Sequence, residues 1–233
     1  MSAPTLIPPS ATQPLLLLPP EAVPSVDHLI TVDDTPVDSI YAERQEHLLV
    51  DPLYECWIGP GTERTFVALA NVGMFFADDR PPLVPDVLLS LDVRLPPHLR
   101  EKRYRSYFFW QFGKAPDVCV EVVSNLEGDE LGEKLRMYAQ LGIPYYVVWD
   151  PLKLLRGERL RVFVLRGRSY QGLDPAWFPE LGLGVQIWHG RFRDAEEDWL
   201  RWVDANGQVI PTGGERAEKL AAQLRALGIE PSA

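Results

Sequence analysis

The sequence contains few of the residue patterns that mark the commonest kinds of functional site. Its only cysteines, Cys56 and Cys119, show neither CxxC nor Cys/His spacing, so we expect neither a disulfide framework nor a zinc site. Both are predicted to be reduced thiols, with Cys119 in the core, which fits a cytoplasmic protein. The four histidines also lack ligand-like spacing and are predicted to be structural or exposed.

The familiar nucleotide-binding and hydrolase motifs are absent as well. There is no GxGxxG after a strand, no Walker A sequence, no HExxH and no GxSxG. The sequence therefore gives no support for a dinucleotide-binding protein, a nucleotide triphosphatase, a zincin or a serine hydrolase.

Long hydrophobic runs and an excess of positive charge are also missing. The longest early apolar run, Leu15 to Leu18, is bracketed by prolines and follows no basic segment, so neither secretion nor membrane spanning is predicted. The formal net charge of −10 argues against non-specific coating of nucleic acid, because phosphate binding depends on Lys and Arg. A local basic groove is still compatible with this charge.

The chain is long enough for one substantial domain with accessory segments. Residues 1–38 are rich in proline and predict an irregular lead-in rather than core. We assign residues 39–200 to the main domain and residues 201–233 to a C-terminal segment. In that segment, Glu215 to Leu227 has the apolar spacing of a short amphipathic helix, and such a helix could pair with a second subunit. A homodimer is therefore predicted.

The stretch from Pro116 to Pro151 predicts a strand, a crossover helix and a second strand. Residues 117–124 are β-branched and apolar on both faces, which is typical of a buried central strand. Helical spacing follows from about Glu130 to Leu141, and residues 145–149 form the second strand. A connection of this length predicts that the two strands are parallel neighbours.

Two charged residues in this unit occupy apolar positions. Glu121 lies in the middle of the first strand, where an unpaired carboxylate would be strongly destabilising. Lys134 falls on the core-facing stripe of the helix, between Leu131 and Tyr138. We predict that the acid and the lysine are partners at one site.

Two further acids come from earlier segments. Residues 39–54 predict a first helix that carries Glu43, Glu46 and His47 as candidate site residues, although a solvated helix face is the favoured explanation for each of them. Asp86 follows Pro85 and opens a Val/Leu-rich strand, so its carboxylate is predicted to lie at the mouth of that strand. The alternative for Asp86 is an ordinary turn residue.

The segment from Arg94 to Trp110 combines basic and aromatic residues in an otherwise acidic chain. Such a mixture suits a surface that contacts the phosphates and bases of DNA. An amphipathic helix that packs Tyr107, Phe108 and Trp110 into the core is the other interpretation. Both stay open at the level of sequence.

Beyond the central unit, the pattern predicts further antiparallel strands. Residues 160–165 and 167–170 are typical of a hairpin, and residues 183–188 of another strand. All three are expected to extend the central sheet.

Together, Asp86, Glu121 and Lys134 suit metal-assisted phosphodiester hydrolysis. Two carboxylates from adjacent strands can hold a hard cation such as Mg²⁺ and leave water in its shell. The ion lowers the pKa of that water and polarises a phosphoryl oxygen, while a nearby ammonium group stabilises negative charge in the transition state.

The sequence resembles the Uma2 family, also called DUF820, a branch of the PD-(D/E)xK restriction-endonuclease-like nuclease superfamily. The resemblance covers about residues 38–190. It rests on these stretches: Pro85-Asp86-Val87, Pro116-Asp117-Val118 leading to Glu121-Val122-Val123-Ser124, Leu131-Gly132-Glu133-Lys134-Leu135 with Tyr138-Ala139, Gly142-Ile143-Pro144-Tyr145-Tyr146, and Trp149-Asp150-Pro151.

The resemblance implies an α/β fold with a restriction-endonuclease-like core, in which a central mixed β-sheet is flanked by helices and carries added antiparallel strands. It also implies a DNA endonuclease that depends on Mg²⁺, with Mn²⁺ as another possible ion. Asp86 and Glu121 look like the metal ligands and Lys134 like the catalytic lysine. Glu46 is similar in position to the acid that such nucleases often supply from the first helix.

The chain departs from the superfamily pattern at one position. Two residues after Glu121 stands Val123, where a lysine would be expected, and the resemblance implies that the following helix supplies Lys134 instead. The alternative is a catalytically inactive binding or regulatory protein on the same scaffold, in which Glu121 and Lys134 form a buried ion pair.

Overall fold

The computed structural model describes residues 22–31, 39–57, 59, 61, 64–126 and 128–231. The helices are α1 (Ile40–Glu55), α2 (Phe109–Phe112), α3 (Glu133–Gln140) and α4 (Gly213–Ala226). The strands are β1 (Phe66–Ala70), β2 (Met74–Phe75), β3 (Val87–Leu91), β4 (Tyr107–Phe108), β5 (Val118–Val122), β6 (Tyr145–Trp149), β7 (Leu160–Arg166), β8 (Ser169–Gly172), β9 (Trp177–Phe178), β10 (Leu183–Phe192) and β11 (Ala195–Val203).

A six-stranded mixed sheet forms the centre of the fold. Its strand order is β1-β3-β5-β6-β7-β8, with β5 and β6 parallel and the other neighbours antiparallel. Every residue of β5 and β6 is buried, as expected for strands covered on both faces. The predicted parallel pair and its crossover helix are therefore confirmed.

The two faces of this sheet are covered by different elements. On one face, α1 and the β10–β11 hairpin pack on residues such as Val120 and Val147. On the other face, Tyr138 of α3 packs with Cys119 and Val148. Because side chains alternate along a strand, Glu121 points to the same face as Cys119, towards α3.

The predicted α/β architecture, a mixed sheet with flanking helices and added antiparallel strands, is confirmed. The 160–170 hairpin forms β7 and β8 at the sheet edge. The expectation that residues 183–188 extend this sheet is wrong, because β10 lies in a separate sheet of order β11-β10-β9. Its long pairing with β11 from Gly184↔Val203 to Phe192↔Ala195 holds it there.

Strand β11 was not predicted from the sequence. Its first residues, Ala195 to Asp198, are mostly charged, and its buried apolar residues come only in the second half, at Trp199, Leu200, Trp202 and Val203. The predicted boundary at residue 200 falls within this strand. The division into domains stays a prediction.

Part of the N-terminal lead-in contacts the body of the protein. Residues 22–31 are irregular, as expected, but Val26 and Leu29 are buried against Phe108. This contact differs from the expectation that the lead-in lies outside the core. The rest of the 1–38 segment lies outside the described residues.

The predicted C-terminal helix is present as α4. It begins at Gly213 because Thr212 and Glu215 form a capping box, in which each side chain accepts a hydrogen bond from the other's backbone N–H. None of the helix residues is buried. In the described part of the chain, none of the helices combines the length and apolar character that crossing a bilayer requires.

Candidate active site

Asp86 lies at the mouth of β3, next to the C-terminal end of β5. Its Oδ2 accepts a hydrogen bond from the backbone N–H of Val122 at 2.5 Å, and this bond fixes the carboxylate beside the residue that follows Glu121. The backbone C=O of Asp86 accepts a hydrogen bond from Asn71 N–H at 3.0 Å. The antiparallel pairing of β3 with β5 thus brings two acids that are 35 positions apart in the chain to one end of the sheet.

Glu121 is almost completely buried, with 2% of its surface exposed. Its Oε2 accepts a hydrogen bond from Lys134 Nζ at 2.8 Å, and its Oε1 accepts one from the Tyr138 hydroxyl at 2.5 Å. Both carboxylate oxygens therefore have a donor, as a buried carboxylate requires.

Helix α3 supplies both donors because Lys134 and Tyr138 are one helical turn apart. The helix begins three residues later than predicted, and the Asp129 carboxylate accepts the backbone N–H of Glu133 at 2.7 Å. The Asp129 side chain thus satisfies a backbone donor at this end of the helix. Leu131 precedes the helix and is 37% exposed, so the expectation that it lies on the core-facing stripe is wrong.

The charges at this site are coupled. Burial and the nearby charge of Asp86 raise the pKa of Glu121 to about 8, although Lys134 and Tyr138 act in the opposite direction. Burial alone would lower the pKa of Lys134, but the charge and hydrogen bond of Glu121, together with the charges of Asp86 and Glu130, outweigh burial and raise that pKa. Lys134 and Glu121 influence each other in this way only while Glu121 is ionised, so the two groups titrate together.

A third acid, Glu130, lies beside Lys134. Its side chain is 7% exposed, and Oε1 is 4.0 Å from Lys134 Nζ. Its Oε2 is buried and has no hydrogen-bond partner among the described residues. The sequence pattern placed Glu130 only at the start of the predicted helix, and it indicated neither this inward position nor the role of the Tyr138 hydroxyl. The spacing of Glu130, Lys134 and Tyr138 at intervals of four was the available signal.

Glu46 occupies a neighbouring position on α1. It is buried, and its Oε2 accepts a hydrogen bond from Asn71 Nδ2 at 2.7 Å. Since the backbone N–H of Asn71 is bonded to Asp86, one asparagine links the two acids. By contrast, Glu43 and His47 lie half-exposed and pair with each other at 3.2 Å, as on a solvated helix face.

The segment from Arg94 to Trp110 divides into a basic part and an aromatic part. Tyr107 and Phe108 are completely buried and Trp110 is 8% exposed, so these rings pack in the core and are not available to stack on bases. The interpretation that they pack inside is the one that the structure favours, with α2 reduced to four residues.

A cleft of about 540 Å³ opens at the same ends of β5 and β6. It is lined by the end of β5 at Val122 and by Ser124 after it, by Pro151 after β6, by Ser39 just before α1, and by Asp198 of β11. Ligands of α/β proteins commonly enter at the carboxyl ends of parallel strands. Asp86, Glu121 and Lys134 are not among the residues that line the cleft; the link to them is Val122, whose backbone N–H donates to Asp86.

Over the described ranges, no group of three or more His, Cys, Asp or Glu side chains is arranged to hold a metal ion.

Comparison with known proteins gives a family match. The Uma2 family model, which carries the description "Putative restriction endonuclease", matches residues 33–187. A search of curated proteins gives no match.

Proposed function

Because the chain belongs to the Uma2 family, we propose that it is a divalent-metal-dependent endonuclease that hydrolyses phosphodiester bonds of DNA. In this proposal Asp86 and Glu121 hold the ion and Lys134 stabilises negative charge. Glu46 assists by binding Asn71, which contacts the backbone of Asp86. The observation that carries the proposal is the convergence of Asp86, Glu121 and Lys134 at one end of the central sheet.

The donor set fits a hard divalent cation. Asp86 and Glu121 are close enough for the charge of one to raise the pKa of the other, and a divalent ion would relieve this repulsion. Carboxylate oxygens are the ligands that Mg²⁺ prefers, usually one or two with water completing the shell, so a cluster of three acids is not required. Mn²⁺ takes the same oxygen ligands. When bound, the ion would lower the pKa of a water molecule and polarise a phosphoryl oxygen.

Each side chain of the site has a distinct role in this proposal. The Val122 N–H orients the Asp86 carboxylate, and the Tyr138 hydroxyl orients that of Glu121. The Lys134 ammonium group lies where it can stabilise negative charge that develops on the phosphate. Glu46 acts through Asn71, which fixes the backbone at Asp86.

We propose that DNA contacts the basic part of the Arg94–Trp110 segment. Arg94, Arg100 and Arg105 are exposed, so they are available to the phosphate backbone. Such contacts position a duplex without reading its sequence. A homodimer through the exposed α4 and a cytoplasmic location stay predictions.

A catalytically inactive binding or regulatory protein is the second candidate. Val123 stands where the superfamily has its strand lysine, and both Glu121 oxygens already have donors in Lys134 and Tyr138. These contacts would also suit an ion pair that only stabilises the fold. In that case a divalent ion would not bind at Glu121.

The test is nicking of supercoiled plasmid with Mg²⁺ or Mn²⁺. We expect Asp86→Asn, Glu121→Gln and Lys134→Met to lower the nicking rate by about 100-fold or more, since each removes a group that acts on the ion or the phosphate. Equal nicking by the wild type and all three variants would indicate contamination and refute the proposal. Absence of nicking by the folded wild type would favour the inactive candidate.

Asp117 provides a matched control. It also follows a proline, but it lies at the opposite end of β5, where its Oδ2 accepts Leu91 N–H and pairs with Lys114 at 2.5 Å. We expect Asp117→Asn to nick at close to the wild-type rate. A loss equal to that of Asp86→Asn would mean that both acids act only on the fold.

A further inference from the structure

Glu130 is a buried acid whose position is not explained by the fold alone. Its Oε2 has no hydrogen-bond partner within the described part of the chain, although its side chain is 7% exposed. A buried carboxylate oxygen without a donor is unfavourable, and such a group calls for a specific explanation. The nearest cation is Lys134, whose Nζ is 4.0 Å from Glu130 Oε1 but 2.8 Å from Glu121 Oε2.

The surroundings fix the backbone of Glu130 and leave little space around its carboxylate. The Tyr146 hydroxyl donates a hydrogen bond to the Glu130 backbone carbonyl at 3.0 Å. Gly128 lies directly against the carboxylate, and a methyl group there would overlap it. A residue with any side chain at position 128 would therefore displace the Glu130 carboxyl group.

Lys134 has two acids within reach but is hydrogen-bonded to one of them. If Glu121 gives its oxygens to a divalent ion, as in the proposed function, less of its charge remains for the lysine. A partly buried ammonium group then needs another counter-charge. Glu130 lies three residues before the start of α3, on the same side as Lys134, and a small movement of the lysine head group would close the 4.0 Å gap.

We infer that Glu130 is a positioning residue, which takes over the Lys134 ammonium group when Glu121 binds the ion. This inference rests on the proposed function. It differs from a direct ligand role, since Glu130 does not complete a metal-ligand cluster with the other described acids. Glu130 keeps the Lys134 ammonium group beside the ion site, where the lysine can meet the phosphate.

The first experiment measures Ca²⁺ binding to the full chain by calorimetry, so that no cleavage interferes. We expect Glu130→Gln to weaken Ca²⁺ binding by about 10-fold, because Glu121 can then bind the ion only by leaving Lys134 without a partner. Glu133→Gln is the matched control: it removes the same charge from an exposed neighbour. We expect its Ca²⁺ affinity to stay within about 2-fold of the wild type, since an exposed charge is screened.

A double-mutant cycle with Lys134→Met distinguishes positioning from a direct effect. If Glu130 acts through the lysine, Glu130→Gln causes no further loss of Ca²⁺ affinity in the Lys134→Met background. An equal loss in both backgrounds would show that Glu130 acts on the ion directly, and the inference would be wrong.

Two more variants distinguish loss of the Glu130 carboxylate from a general folding defect. Glu130→Asp keeps the carboxylate, so it should recover most of the Ca²⁺ affinity that Glu130→Gln loses. Gly128→Ala keeps the carboxylate but displaces it, so it should lose affinity in the same direction as Glu130→Gln. The reverse pattern, with Gly128→Ala unchanged and Glu130→Asp as weak as Glu130→Gln, would contradict the inference.

Failure of the inference is distinguishable from failure of the proposed function. A wild type that binds Ca²⁺ and nicks DNA, with Glu130→Gln equal to Glu133→Gln, would overturn the role of Glu130 alone. A wild type that neither binds Ca²⁺ nor nicks DNA would overturn both.

Discussion

Two ion pairs in this protein each contain a buried charge, and they are built differently. Arg201 is 1% exposed and donates to both oxygens of Glu215, at 3.0 and 2.7 Å, while the backbone carbonyl of Ile210 accepts a third hydrogen bond. In the other pair, Lys134 donates one hydrogen bond to Glu121 and lies close to a second acid, Glu130.

The difference lies in the balance of charge. At Arg201 one cation meets one carboxylate, and that carboxylate also completes the capping box of α4. At Lys134 one cation is shared among three acids, Asp86, Glu121 and Glu130, and one buried oxygen has no donor within the described ranges. Each pair has one buried atom without a hydrogen-bond partner among the described residues, Arg201 Nε in the first and Glu130 Oε2 in the second. The difference is that the first pair balances one cation against one carboxylate, whereas the second has more acids than cations, as the proposed cation site requires.

The largest effect that separates the two pairs concerns stability. Glu215→Ala leaves the buried Arg201 without its carboxylate, and we expect the free energy of unfolding to fall by about 3 kcal/mol, as measured by urea denaturation. The nicking rate of the folded fraction should not change, because α4 and Glu215 take no part in the site. A variant that unfolds as easily as expected but also stops nicking would mean that the two regions are not independent.

Much of this comparison was accessible from sequence. A carboxylate among Val120, Val122 and Val123 and a lysine at core-facing helical spacing identified the Glu121–Lys134 pair, because both residues break a clear apolar pattern. Asp86 was accessible for the same reason, as a polar residue at the start of an apolar strand. The family resemblance then gave the chemistry.

The Arg201–Glu215 pair was not accessible in this way. Its arginine lies on β11, whose charged first half hides the strand, and no local pattern shows that Trp199 and Trp202 are buried by α1. Glu130 was not identified for a different reason: polar residues are common just before a helix, so its presence there does not stand out. Only the tertiary contacts reveal that its carboxyl group is turned inward.

The second prediction concerns the direction in which the free energy of unfolding changes with pH. The pKa of Glu121 is raised to about 8, so between its unfolded value near 4.5 and 8 the folded state binds a proton that the unfolded state has lost. Stability from this group is complete below pH 4.5 and decreases as the pH rises, by roughly 2 kcal/mol between pH 6 and pH 8 in metal-free protein. Glu121→Gln should remove this decrease, which thermal or urea unfolding across that range would measure.

Glu215 should show the opposite sign. Burial opposes its ionisation, but the hydrogen bonds from Arg201 and Thr212, together with the charge of Arg201, outweigh burial and lower the pKa of Glu215 below its ordinary value of 4.5. Its contribution is therefore present above the unfolded pKa and lost as the pH falls through the lower folded value. If Glu121→Gln and Glu215→Gln changed the pH profile in the same direction, the distinction between the two pairs would fail.

The smallest expected effect concerns the helix cap at Thr212, which contacts the Glu215 side chain of the Arg201–Glu215 pair. The Thr212 hydroxyl accepts the backbone N–H of Glu215 at 3.1 Å, and Glu215 Oε2 in turn accepts both Thr212 N–H and an Arg201 donor. Thr212→Ala should lower the free energy of unfolding by about 1 kcal/mol, the usual effect of losing a helix cap, and Thr212→Ser should restore most of it. Because cap and ion pair share Glu215, the losses from Thr212→Ala and Glu215→Ala should be less than additive in urea denaturation of the double variant. Full additivity would show that the cap does not orient the carboxylate for Arg201.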